Sequence, residues 1–159
     1  MFEFIKKLQL LLEAKKPAGD YAALSLSATS TAAIEKWALN HNIEVDEEHD
    51  LHITTAYSKT PFEYDWTTLG VDLENVEAVP IKFDVFETTN SKTKLLVVLV
   101  DCPYASQRFS EYMDHGAEYD YDEYRPHITL SKEWSGDLPD ISTLPKIMIT
   151  SEYHSKLEE

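Results

Sequence analysis

The sequence predicts an α+β fold in which two pseudo-symmetric lobes of antiparallel sheet, with flanking helices, surround a central cleft. Strand patterns and helical patterns alternate along the chain, a hairpin pattern separates two similar halves, and the triplet His-Ile-Thr occurs twice, at residues 52–54 and 127–129. With 6 His, 13 Thr and 9 Ile among 159 residues, chance supplies about 0.03 such triplets. Two copies, each on a strand pattern that follows a helical one, therefore indicate an internal duplication.

The elements follow in order. Phe4, Ile5, Leu8, Leu11 and Leu12 recur at helical spacing and Pro17 with Gly19 closes the segment, which predicts an N-terminal helix within residues 1–18. Tyr21 to Leu26 reads as a strand between Gly19-Asp20 and a Ser/Thr-rich stretch. Ala32, Ala33, Ile34, Trp37, Ala38 and Leu39 predict a helix capped by Ser30 or Thr31 and ending near Asn40-His41-Asn42. The first triplet strand then runs to about Tyr57. Residues 58–75 hold Pro61, Trp66 and Gly70 without a clean period, the pattern of a long loop or flap. Strands at 76–88 and 94–101, with the turn signal Thr89-Asn90-Ser91-Lys92 between them, predict a hairpin. Helical spacing through Phe109, Tyr112 and Met113 follows Pro103 and stops at Gly116. An acidic, tyrosine-rich loop leads through Arg125-Pro126 into the second triplet, and a last strand covers Lys146 to about Tyr153. The length suits one domain over 1–159, with residues 19–57 and 94–153 carrying the two motif-bearing repeats.

Composition narrows the function classes. Fourteen basic against 29 acidic side chains give a net charge of −15, which argues against long nucleic acid or an anionic membrane surface as partner. A small anionic ligand remains compatible with this charge if the cleft is locally positive or binds by stacking and hydrogen bonds. The single cysteine, Cys102, excludes an internal disulfide framework and fits a reducing compartment, where it reads as a buried structural thiol. The first residues lack the long apolar core of a signal peptide, and no run approaches membrane-spanning length.

On a strand, residues two apart share a face, so His52 and Thr54 project together while Ile53 packs behind them, and His127 and Thr129 do the same around Ile128. Two imidazoles on either side of one phosphodiester are suited to in-line displacement: one takes a proton from the attacking oxygen and the other gives one to the leaving oxygen. Each Thr hydroxyl can donate to a non-bridging phosphate oxygen. The scheme requires no metal and no other cofactor. A metal site built on Asp46, Glu48, His49 and His52 fits less well, because residues three apart face opposite sides of a strand. A lone strand histidine is ordinarily a core residue with satisfied hydrogen bonds, and it is the repetition that argues otherwise.

Paired H-x-T triplets in a duplicated β/α chain of this length resemble the two-histidine phosphoesterase superfamily. Tyr21 ahead of His52-Ile-Thr-Thr, the segment Arg125-Pro-His-Ile-Thr-Leu, and the final strand with Ser151-Glu152-Tyr153 are most similar to the bacteriophage anti-CBASS phosphodiesterases, which degrade the cyclic oligonucleotide signals of bacterial antiviral defence. The resemblance implies that His52 and His127 are the acid/base pair, that Thr54 and Thr129 hold phosphate oxygens, and that 3′,5′ linkages of cyclic di- and trinucleotides are cleaved without metal in the cytoplasm of an infected bacterium. Position and chemistry make Tyr21, Trp66, Lys132 and Glu152 the candidate substrate-binding residues: Tyr21, on the strand expected beside His52, toward a phosphate or base, Trp66 of the irregular loop by stacking, Lys132 just past the second triplet as a phosphate cation and Glu152 as acceptor from a base edge. Sibling activities, a 2′,5′-phosphodiesterase or a cyclic phosphodiesterase on RNA ends, use the same His/Thr pairs. A non-catalytic nucleotide-binding sponge would not need them.

Overall fold

In this computed structural model the described residues are 18–45, 50–87 and 93–157. The N-terminal helix expected at the start of the chain, the hairpin turn at 89–92, and Asp46, Glu48 and His49 of the metal alternative lie outside them.

Among the described residues six strands and two α-helices form in the order β1 (Asp20–Leu26), α1 (Ala28–Asn40), β2 (His52–Ser58), β3 (Val76–Glu87), β4 (Lys94–Asp101), α2 (Pro103–Asp114), β5 (His127–Ser131) and β6 (Ile147–Lys156). All strand pairs are antiparallel and the ladder closes in the order β1-β2-β5-β4-β3-β6, with β6 returning to β1. The arrangement resolves into two three-stranded lobes. In one, β1 lies between β2 and β6; in the other, β4 lies between β5 and β3. An approximate two-fold axis exchanges β1 with β4, β2 with β5 and β6 with β3, so the triplet strands are equivalent and meet each other where the lobes join. That junction is narrow: β2 and β5 share the single registered pair Ile53↔Ile128.

The core explains why these segments take these forms. Leu24, Ile53, Leu96, Val98, Ile128, Leu130, Ile147 and Ile149 lie on one face of the strands and are 0–2% exposed, in one cluster with Ile34, Trp37 and Ala38 of α1. Helix α1 packs through Trp37, whose ring stacks on Phe83 of β3 and whose Nε1 donates to Thr143 Oγ1 at 2.9 Å. Its cap differs from the expected one. Ser27 is the N-cap, accepting from the Ser30 amide at 3.1 Å, and Ser30 is buried in the first turn, where its hydroxyl donates to the Lys146 carbonyl and accepts from the Met148 amide. Among Ser27, Thr29, Ser30 and Thr31, the tertiary bonds of Ser30 to Lys146 and Met148 decide which one caps. Helix α2 starts at Pro103 as expected and ends against Gly116, whose φ of +99° suits a residue without a Cβ.

The connection at 59–75 is laid against the sheet. Phe62 donates its amide to Asp20 Oδ2, Glu152 exchanges bonds with Gly70, and the Leu73 amide reaches the Thr150 carbonyl, which continues the β3–β6 ladder upstream. Asp20 is wholly buried, and burial pushes its carboxyl up; Lys156, His154 and the Phe62 amide together outweigh that and hold it below the ordinary carboxylate value.

Candidate active site

Ile53 and Ile128 point into the core with no exposure, so the residues flanking each must project from the other face. The single Ile53↔Ile128 pair is antiparallel, and stepping away from it sets His52 toward Thr129 and Thr54 toward His127. The two halves of the motif thus alternate around one point on a shared face. Sequence reasoning anticipated this convergence of His52, Thr54, His127 and Thr129.

The two histidines are held alike. His52 Nδ1 lies 2.6 Å from the Asp50 carbonyl and His127 Nδ1 lies 2.8 Å from the Arg125 carbonyl, in each case two residues upstream. A carbonyl can only accept, so Nδ1 must carry the proton, which leaves Nε2 on both rings as the nitrogen turned to other partners. The same local turn therefore fixes the same tautomer twice.

Their surroundings differ. Across the ladders His52 faces Ser25 of β1, whereas His127 faces Leu99 of β4. His127 also lies 5.0 Å, ring to ring, from Phe86, and the Arg125 guanidinium sits 5.4 Å from that same Phe86 ring. Burial pushes the His127 pKa down, and the charges of Arg125 and His52 push the same way, against the raising effect of its carbonyl bond; the net position is below the ordinary imidazole value.

Around Thr54 the chain makes a β-bulge. Ala22 pairs with Ala56 but Ala23 pairs with Thr54, which leaves Thr55 as the extra residue, buried toward Tyr112 of α2. Thr54 is clamped from two sides: its Oγ1 is 3.0 Å from the Tyr21 hydroxyl, and its carbonyl accepts from the Tyr124 hydroxyl at 2.7 Å. Tyr124 stacks on Phe109 of α2 at 4.2 Å and stands three residues before His127. It thereby ties the approach to one triplet to the backbone of the other, at the place where the sheet itself supplies one registered pair.

The proposed substrate residues divide. Tyr21 is brought to the site face, 6.2 Å from the His52 ring and in edge or tilted contact with Tyr57 and Tyr153. Lys132 stands exposed in the turn directly after β5. Trp66 stands apart from the triplets, stacked on His154 at 3.7 Å and packed with Phe62, Tyr64 and Tyr112. Glu152 is not brought to the triplets: it pairs with Leu24, not with the site-facing Ser25, so its carboxylate points to the core side. There it receives Arg108 Nε at 2.6 Å, Arg108 Nη2 at 2.8 Å and the Gly70 amide at 2.7 Å, which occupies both of its oxygens. Tyr57, Phe86 and Tyr124, together with Arg125 and Tyr153, which the sequence marked only as motif residues without a site role, surround the triplets; for Phe86 the available signal was the alternation Lys82-x-Asp84-x-Phe86 along β3.

The family model described as anti-CBASS protein Acb1 matches residues 18–159. A protein named anti-CBASS protein Acb1 from Sphingomonas paeninsulae is 35% identical over 92 residues, which cover 54% of this chain and 14% of that protein. The anti-CBASS protein Acb1 of Salmonella phage S16 is 30% identical over 116 residues, covering 71% of each chain. Among solved structures, E. coli LigT in its apo form is similar at 17% identity and a TM-score of 0.48, over 90% of this chain and 96% of that one.

Proposed function

The chain belongs to the anti-CBASS protein Acb1 family, and from that premise we propose that it is a two-histidine phosphodiesterase that opens the 3′,5′ linkages of cyclic di- and trinucleotide signals, and so blocks CBASS defence inside the bacterial host. The observation that carries the reading is the matched tethering of His52 and His127 through Nδ1, which offers two Nε2 atoms to one face beside two Thr hydroxyls.

In the proposed reaction one imidazole takes the proton of a ribose 2′-hydroxyl at Nε2. The 2′-oxygen attacks the neighbouring phosphorus, and the bond to the 5′-oxygen breaks in line. The other histidine enters as imidazolium and gives its Nε2 proton to that leaving oxygen. Thr54 and Thr129 donate to the non-bridging oxygens as charge builds, and the Tyr21 hydroxyl sets the rotor of Thr54. The products are a 2′,3′-cyclic phosphate and a free 5′-hydroxyl, with the proton count unchanged. No cofactor takes part in this scheme.

The unequal surroundings support a division of roles. His127, faced by Leu99 and Phe86 and held below its ordinary pKa, is the base; His52, faced by Ser25, is the acid. A lowered pKa keeps His127 unprotonated to lower pH, so the acid limb of kcat/KM is expected below the ordinary value of about 6.5. The same shift lets the unfolded chain bind that proton more readily, so its contribution to stability is lost as pH falls through this range. A pH profile whose acid limb lies above 6.5 would remove His127 from the role of base. Turnover of a panel of cyclic dinucleotides set against linear 2′,5′-linked oligonucleotides tests the substrate class: the cyclic 3′,5′ compounds are expected to be cleaved, and a preference for 2′,5′ linkages would reassign the activity.

A further inference from the structure

The two lobes repeat their backbone but not their chemistry. Directly paired residues of an antiparallel ladder project to the same face, so the site face can be followed as rows across each lobe. From His52 the row runs through Ser25 to Ser151, and from Thr54 through Ala23 to Tyr153. From His127 it runs through Leu99 to Lys82, and from Thr129 through Val97 to Asp84. The two-fold relation thus puts Lys82 where the other lobe has Ser151. Arg125 reaches across β4 to Asp84, with Nη2 to Oδ2 at 3.0 Å, and its guanidinium lies over Phe86 beside His127. One lobe therefore presents two cations beside one carboxylate, Asp84, while the other presents serine and tyrosine hydroxyls.

We propose that Lys82 and Arg125 form a subsite for the second phosphate of a cyclic dinucleotide whose first phosphate lies between the triplets. The inference rests on the phosphodiesterase reading above and names what that site recognises beyond the bond it breaks. Lys82 is two strands away from His127, about 10 Å between backbones. That gap is bridged when a flexible lysine stem reaches back toward a phosphate carried on the same small ring. Arg125 keeps 44% of its side chain exposed while Asp84 holds one end of its planar fork, leaving further N–H groups to donate. An exposed ion pair of this kind adds little stability, so fold maintenance does not account for it. The pair also bears on the charge problem: a chain of net −15 repels a dianion at long range, and two cations against the single Asp84 carboxylate leave the subsite locally positive.

The test compares two ligands that lack the 2′-hydroxyl nucleophile and so cannot be cleaved, a 2′-deoxy 3′,5′-cyclic dinucleotide and the linear 2′-deoxy dinucleoside monophosphate of the same bases, which has one phosphodiester and no second phosphate. Calorimetric affinity is the readout, because Arg125 also acts on the His127 proton and would confuse a rate. In the Lys82→Ala/Arg125→Ala variant the cyclic ligand should bind about 30-fold or more weakly, the loss expected for charge-assisted hydrogen bonds, while the linear one changes by less than about 3-fold. Equal losses for both ligands, or an unchanged affinity for the cyclic one, would overturn the proposal. Wild-type protein that binds the 2′-deoxy cyclic ligand in this way but never cleaves its ribonucleotide counterpart would instead count against the phosphodiesterase reading.

Discussion

His127→Ala and His52→Ala are each expected to lower kcat/KM for a cyclic dinucleotide by about two to four orders of magnitude, the range for loss of a positioned acid or base. Each ring is fixed by a bond to main chain two residues upstream, so removing one imidazole leaves the other in place. A lone survivor can still perform only half of the proton transfer. The double variant should therefore be little worse than either single one, since groups that act as a unit do not add. Steady-state kinetics with binding measured separately distinguishes this from simple loss of affinity. A single variant that keeps more than a tenth of wild-type activity contradicts the paired mechanism.

The second large effect concerns stability. Arg108→Ala is expected to destabilise the fold by about 3–5 kcal/mol, because it leaves a buried carboxylate without its cation. Glu152 has 2% side-chain exposure and Arg108 16%, and the guanidinium additionally binds the Tyr64 hydroxyl and the Glu111 carboxylate at 2.9 Å each. This one side chain joins α2, β6 and the connection that passes Gly70. Urea unfolding measures the effect, and a loss below about 1 kcal/mol would show that the pair is dispensable. Glu152→Gln offers a companion check: the amide keeps one acceptor for the cluster, and nucleotide affinity should hold, as it would not if Glu152 read a base edge.

Local patterns carried most of the fold. The alternation around Ile53 and Ile128 and the proline start and glycine stop of α2 are short-range features, and the structure forms the elements they predict. What remained illegible depended on partners far along the chain. Glu152 alternates with Ser151 and Tyr153 as the sequence suggests, but which of them faces the site is set by register against Leu24 and Ser25, and its cation stands 44 residues away. The Thr55 bulge arises from pairing between β1 and β2 and from the space under Tyr112, neither of which a strand pattern encodes. Trp66 sits in a stretch without period, and only the packed structure reveals the ring of His154 against it. The site was legible because its chemistry is written twice; the asymmetry that separates His52 from His127 is not, because Ser25 and Leu99 become their neighbours only through the ladders.

The central claim is that the paired triplets break a phosphodiester by proton transfer between two imidazoles and a ribose hydroxyl. Its most direct measurement is incubation of the protein with a 3′,5′-cyclic dinucleotide in excess chelator, followed by mass analysis of the first product. The account predicts a ring-opened product ending in a 2′,3′-cyclic phosphate, formed at an unchanged rate. Absence of turnover, or turnover that appears only when a divalent cation is restored, would contradict it.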